Sequence, residues 1–478
     1  MAPTHIARTS VDEARKAPRD TNDLALESPF VWGIDASLAA SYEEEQELEV
    51  GFDEQPVVAI VQAAVMVYIN ATQRKLDRAQ ERARLADQCL VKLDRQQVAR
   101  QGISPTVLEH IVEATRCHLS RIIQLHRSTP AIDKWECDDA AARPREQELV
   151  ARATLAGCKS VAWSMFHEEE LDRATALARE AVRASPACPL WHFVLGKNLR
   201  RLRRRDGPSF EPGREERVHL AMAYDLSGEP FYGVFAALMH RESREFERAA
   251  QLYLGAFARG SKSVGINLRL ALGFVRIPGY LHLAQACLER VRELAPGNSM
   301  YLHYRGIYCE RLGLYKLAST YFYEAAKCGN GKAEMQYVDM MAKLLPQFDC
   351  VGYFKGMVRK YENDVYLQQL LLLNVAVQYF FKGKDVKNAL VYFSKAIRIN
   401  PRGGHLQKFY DGMITRRSYN IFKLVREEVL PEFDRIYLQV PEDLKDIHGY
   451  LNNLTSIKKW DKNELTKHSR NMKLQNVC

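Results

Sequence analysis

Several signatures are missing from this 478-residue chain, and each absence closes off a class of function. No glycine-rich phosphate loop opens a helix, whether G-x-x-x-x-G-K-[ST] or G-x-G-x-x-G. No H-E-x-x-H or G-x-S-x-G occurs either, and the histidines are scattered, so the chain does not read as an enzyme. The ten cysteines include no C-x-x-C pair and no zinc spacing with histidine. Cys89, Cys158, Cys287 and Cys309 fall within helical patterns, where a reduced cysteine behaves as a small hydrophobe. A reducing cytosolic or nuclear setting is the simplest reading, with the cytoplasm as the expectation and no metal and no cofactor. The longest apolar run, residues 57–69, is too short to span a bilayer and contains Gln62. The opening stretch MAPTHIARTSVDEARKAPRD lacks the apolar centre of a secretory signal, so no membrane partner is expected. Acids are also in deficit: 59 Asp and Glu against 68 Lys and Arg leave a net charge of +9, which suits an anionic partner.

What is present is a ladder of small residues. Ala249, Ala284 and Ala318 are spaced by 35 and then 34 residues, and Ala389 follows 71 later, two such steps. The clearest copies are YLHYRGIYCERLGLYKLASTYFYEAAKCG from Tyr301 and LLNVAVQYFFKGKDVKNALVYFSKAIRINP from Leu372. A period near 34 with small, aromatic and proline landmarks predicts tetratricopeptide (TPR) helix pairs, an all-α superhelical solenoid of right hand. Gly306 and Ala318 let paired helices approach. Phe322 and Phe393 are large knobs beside them, and Pro186, Pro296 and Pro401 stop second helices.

Four segments follow from this pattern. Residues 1–28 are polar and read as a mobile leader; 29–145 form an N-terminal helical subdomain of degenerate repeats. Residues 146–402 form the central superhelix, and 403–478 a helical cap with a basic tail from Lys458. Within them we expect a first pair at 57–71 and 76–93, an irregular pair around 106–125, and a connection over 128–145. Repeats then start near Leu155, Pro230, Gly265, Ser299 and Leu370, with a degenerate one over 332–361. One repeat is interrupted after Leu202, with its second helix at 217–225.

The first helix of each pair lines the concave side of such a solenoid, and residues at i, i+4 and i+7 share its face. That face carries Lys159, Trp163 and Phe166; Phe193, Lys197 and Arg200; Phe231, Val234, Leu238 and Arg241; Arg269, Gly273 and Arg276; and His303, Ile307 and Glu310. Lys159, Lys197, Arg200, Arg241, Arg269 and Arg276 face a single acid, Glu310. Cations that neutralise phosphates, interleaved with rings that stack on bases, suit single-stranded nucleic acid. The same rings also fit a reading as core residues. The run from Lys197 to Arg205 is the densest positive charge, read as a phosphate contact, as a nuclear-import tag or as a solvated helix end; Arg203 to Arg205 are assigned to the insertion.

The order of parts over residues 24–402 resembles the interferon-induced proteins with tetratricopeptide repeats, the IFIT family. The resemblance rests on Pro29-Phe30-Val31-Trp32 before an acidic stretch, Trp135-Glu136-Cys137, the interruption after Arg200-Arg201-Leu202, and AYDLSGEPFYGVFAALMHRESREFERA. It implies a non-enzymatic antiviral effector that holds foreign RNA, at a triphosphate or capped 5′ end, in a basic tunnel. By that resemblance Arg200 contacts phosphate, Phe231 stacks near the strand, and Arg269 and His303 line the groove. Trp163 and Lys159 do not match the order of the family's cap-reading pair. Expected partners are single-stranded RNA, including viral RNA, other TPR proteins or a second copy of the chain. The competing reading is a TPR adaptor that binds a protein segment in the same groove.

Overall fold

The computed structural model describes residues 27–40, 42, 54–127, 145–166, 170–206, 211–401 and 403–455. The expected leader 1–28 falls almost wholly outside them. The acidic stretch 43–49, the connection 128–145, Trp135-Glu136-Cys137 and the tail from Lys458 also lie outside the described residues.

The alanine ladder has a single structural meaning. Ala79, Ala174, Ala249, Ala284, Ala318 and Ala389 are each the fourth residue of the second helix of a pair, and each is fully buried. A larger side chain there would hold the paired helices apart. Glycines do the complementary work on first helices. A Cβ on Gly306 would lie 2.5 Å from the Phe322 ring, and one on Gly273 would lie 2.6 Å from the Tyr253 ring. The turn into a second helix is equally regular. The residue two before that helix has positive φ: +77° at Gly313 and +90° at Gly279. At the same place stand Arg74, Arg244 and Lys384, with φ of 60°, 63° and 51°. Glycine adopts this conformation without the Cβ clash that the other residues bear. First helices start on side-chain caps: Ser263, Asn298, Asn330 and Asp364 each accept a backbone N–H of the first turn.

Contacts divide the chain into two units, Met1–Asn198 and Leu199–Cys478. In the first, Pro56–Thr72 packs against Leu76–Val91, Pro105–Arg127 and Arg145–Trp163. It is buried along Val57 to Ala71, Gln62 included, which explains why it reads as one apolar run. The irregular pair expected over 106–125 is instead one continuous helix, Pro105–Arg127. The unit continues with Leu171–Ala184, and Pro189–Asp206 carries the chain into the second unit.

After the end of Pro189–Asp206, the second unit continues with Arg214–Ser227. Regular pairs follow: Pro230–Glu242 with Phe246–Ala258, Val264–Arg276 with Leu281–Leu294, and Ser299–Arg311 with Tyr315–Lys327. Gly331–Leu344 and Cys350–Lys360 form the degenerate repeat, and Val365–Val377 pairs with Val386–Ile399. The cap expected to be helical contains a small antiparallel hairpin, Phe409–Asp411 with Arg417–Tyr419, before it returns to helix. Phe393, Phe409, Phe422, Phe433 and Leu451 close its core. Sequence periodicity of 3.6 has no way to register three-residue strands. The class is an all-α TPR fold. No described helix is long and apolar enough to cross a membrane. Cys158 and Cys287 are buried as expected, and burial pushes the Cys287 thiol up to about 12.

Candidate nucleic-acid interface

In the second unit, arginines from successive first helices converge. Arg200 and Arg204 are one turn apart on Pro189–Asp206 and so share a face. Arg241 lies in the last turn of Pro230–Glu242 and donates from Nη1 to the Leu272 carbonyl at 3.5 Å. Arg269 and Arg276 belong to Val264–Arg276, with the Arg269 guanidinium 5.0 Å from the centre of the Phe235 ring, a cation–π contact. The point of convergence is Tyr304, half-buried on Ser299–Arg311. Burial raises its phenol pKa, while the charges of Arg269, Arg241, Arg276 and Arg200 all pull it down.

The cations also act on one another. Arg276 is exposed, yet its pKa is lowered by the protein packed around it and by Arg241 and Arg311, against Glu310 and Tyr304. Arg204 behaves alike: desolvation and then Arg200 lower its pKa, with Glu242 opposing. Crowded like charges raise the energy of the empty protein and favour an incoming anion.

The acids nearby are already engaged. Glu242 accepts from Arg200 and Arg203 and lies 3.6 Å from Arg204. Glu310 lies 3.1 Å from the Lys343 ammonium. Arg203 is not in a loop insertion. It is helical, 9% exposed, and grips Glu216 through two hydrogen bonds of 2.8 and 3.0 Å. The basic run therefore divides by helical position: Arg203 is a structural clamp, whereas Arg200 and Arg204 join the lining.

Two of the expected residues in this unit sit differently. Phe231 is 3% exposed and packs against Tyr232 and Phe235, with ring centres 5.4 and 5.2 Å away. It presents no open face for a base; it braces Phe235, which carries Arg269. His303 is buried, donates from Nε2 to Gln336 at 2.6 Å and receives Asn330 at 3.4 Å. Burial pushes its pKa down to about 4, so it is neutral at physiological pH and brings no charge to a phosphate.

Lys159, Trp163 and Lys197 belong to the first unit. Lys159 pairs with Glu27 at 3.0 Å. Trp163 is 2% exposed, with the Arg173 guanidinium 3.8 Å from its ring centre. It is a core residue with a cation on its face, not an open stacking platform. Lys197 is half-buried. Helical periodicity missed Tyr304, Arg311, Arg204 and Lys332. Tyr304 and Arg311 are seven apart on one helix, each one step beyond the His303 and Glu310 chosen from the sequence. A register shifted by one residue would have found both.

These second-unit residues define a helical-repeat surface that is rich in arginine and poor in uncompensated acid. The solved structures that this chain resembles include RNA complexes of human IFIT1. Human IFIT1 as a dimer with m7Gppp-AAAA superposes with a TM-score of 0.57 at 13% identity, over 95% of this chain and 100% of that one. The human IFIT1 dimer with PPP-AAAA gives 0.54 at 14% identity, over 95% and 99%. At such identities the likeness establishes the shared fold and agrees with the family resemblance read from the sequence. No family model and no curated relative matches the chain.

Proposed function

We propose that this protein is a non-enzymatic, IFIT-like antiviral effector that holds single-stranded RNA by its phosphates, at or near a 5′ end, in the cytoplasm. The observation that carries the proposal is the convergence of Arg200, Arg241, Arg269 and Arg276 on Tyr304, with the local acids Glu242 and Glu310 already paired. A phosphodiester strand supplies one negative charge per nucleotide and relieves the mutual repulsion of the arginines. Half-buried Tyr304 adds an aromatic ring beside those charges, as strand-binding grooves do. The IFIT1 structures hold PPP-AAAA and m7Gppp-AAAA, which makes a triphosphate or capped 5′ end the first ligand to test.

The test is binding of 5′-triphosphate and 5′-monophosphate single strands across a salt series. Arg241→Ala and Arg276→Ala should each weaken binding and flatten the salt slope by about one phosphate contact. Arg292→Ala is the control, because its side chain is 60% exposed and paired with Glu289. Equal small effects from all three variants would mean that RNA adheres to the basic surface generally. No binding by the wild type would leave the surface to a protein segment.

A further inference from the structure

A second cluster of the same unit lies beside the arginine lining. His405 is 8% exposed, and its Nε2 has no hydrogen-bond partner among the described residues. Its ring packs against Tyr366, tilted by 49° with centres 4.3 Å apart. The positive charges of Lys332 and Arg204 both act on it. Lys332 is exposed and is the second residue of Gly331–Leu344, whose first residue abuts Leu367, the neighbour of Tyr366. A 14-residue helix thus points its N-terminus, the positive end of its dipole, into the same region. Arg204 stands one turn from Arg200, so the cluster continues the lining already described.

A buried ring nitrogen left without a partner costs free energy. The groups around it exclude a metal ion, since the neighbouring charges are cations. They suit an anion that accepts hydrogen bonds. We propose that Arg204, Lys332, His405 and Tyr366 form a separate phosphate subsite on the RNA-binding surface, with His405 Nε2 as a neutral donor to one backbone phosphate. This assignment rests on the RNA-binding reading. A phosphate held there favours the protonated imidazole, so RNA should raise the His405 pKa from its burial-depressed value of about 4.

The experiment uses the full chain and 5′-triphosphate oligoadenylates in which one neutral methylphosphonate linkage is moved stepwise along the strand. In the wild type, one position should cost about tenfold in affinity through the lost charge-assisted bond. Lys332→Gln, at an exposed position that leaves folding intact, should abolish the penalty at that position alone. The imidazole resonance of His405, assigned with His405→Gln, should shift on RNA addition and titrate at a higher pH. If RNA binds but Lys332→Gln leaves every linkage penalty in place and the His405 resonance is unmoved, the subsite is refuted while RNA binding stands. If the wild type binds no RNA, both are refuted.

Discussion

Replacing Glu242 with glutamine separates two roles of one carboxylate. Burial alone would raise its pKa, but the hydrogen bonds from Arg200 and Arg203 outweigh burial and hold it at about 2, against 4.5 for a free glutamate. At about 1.4 kcal/mol per pH unit, the ionised carboxylate stabilises the fold by about 3 kcal/mol at neutral pH. Removing one partner of a buried ion pair costs about 3–5 kcal/mol, a range that overlaps. Because the folded pKa lies below the unfolded value, this stability is complete above about pH 4.5 and is lost as the pH falls towards 2. Hydrogen exchange of the Pro230–Glu242 and Phe246–Ala258 amides reads the local opening without assuming that the whole chain unfolds in one step. Protection there should fall by a factor matching about 3–4 kcal/mol. RNA binding should move the other way. The substitution frees Arg200 and adds one positive charge to the lining, so affinity at low salt should rise and the salt slope steepen by about 0.7. Wild-type protection, or a destabilised variant with a flatter slope, would refute the view that Glu242 both clamps the arginines and masks their charge.

Three further outcomes follow from the packing. Phe231→Ala should cost about 3–5 kcal/mol in denaturant titration, because the ring is sealed in the core; weaker RNA binding at unchanged stability would instead place it on an open face. Gly306→Ala sets a methyl 2.5 Å from the Phe322 ring and should lower stability by about 1–3 kcal/mol; an unchanged midpoint would contradict that contact. His303 is neutral in the fold, with a pKa of about 4 against 6.5, so the unfolded chain takes up the proton first. Stability should therefore fall from about pH 6.5 and level off below about pH 4, by about 2 kcal/mol at pH 5; His303→Gln should remove that dependence, and a variant with the same pH profile would contradict it.

The repeat itself was legible because its landmarks are steric. A residue that must be small every 34 positions leaves a trace in one sequence, and Ala249, Ala284, Ala318 and Ala389 prove to be the same position of the same helix. Elements without such a landmark were not legible. Pro105–Arg127 reads as two short helices because nothing in its sequence distinguishes a bend from continuity, and the Phe409–Tyr419 hairpin is too short for any period to show. At the candidate site the arginines were found because charge on a helical face survives an error of one residue. Tyr304 was not, because it lies one position beyond His303, a 100° turn of the helix. The division of labour between Arg203 and Arg204 was out of reach. It depends on Glu216 and Glu242, whose nearness is a fact of tertiary structure.

The left-handed turn residues bear on how this chain could be engineered. Among the described residues, every non-glycine with positive φ is a cation: Arg74, Arg244, Lys384 and Arg416. Converting them to glycine, the stabilising choice by backbone conformation, would also strip four of the nine excess positive charges. A thermally hardened version obtained that way would be a poorer attractor of polyanions, with slower encounter at low ionic strength. Robustness and electrostatic reach are set here by the same few side chains, and improving one draws down the other.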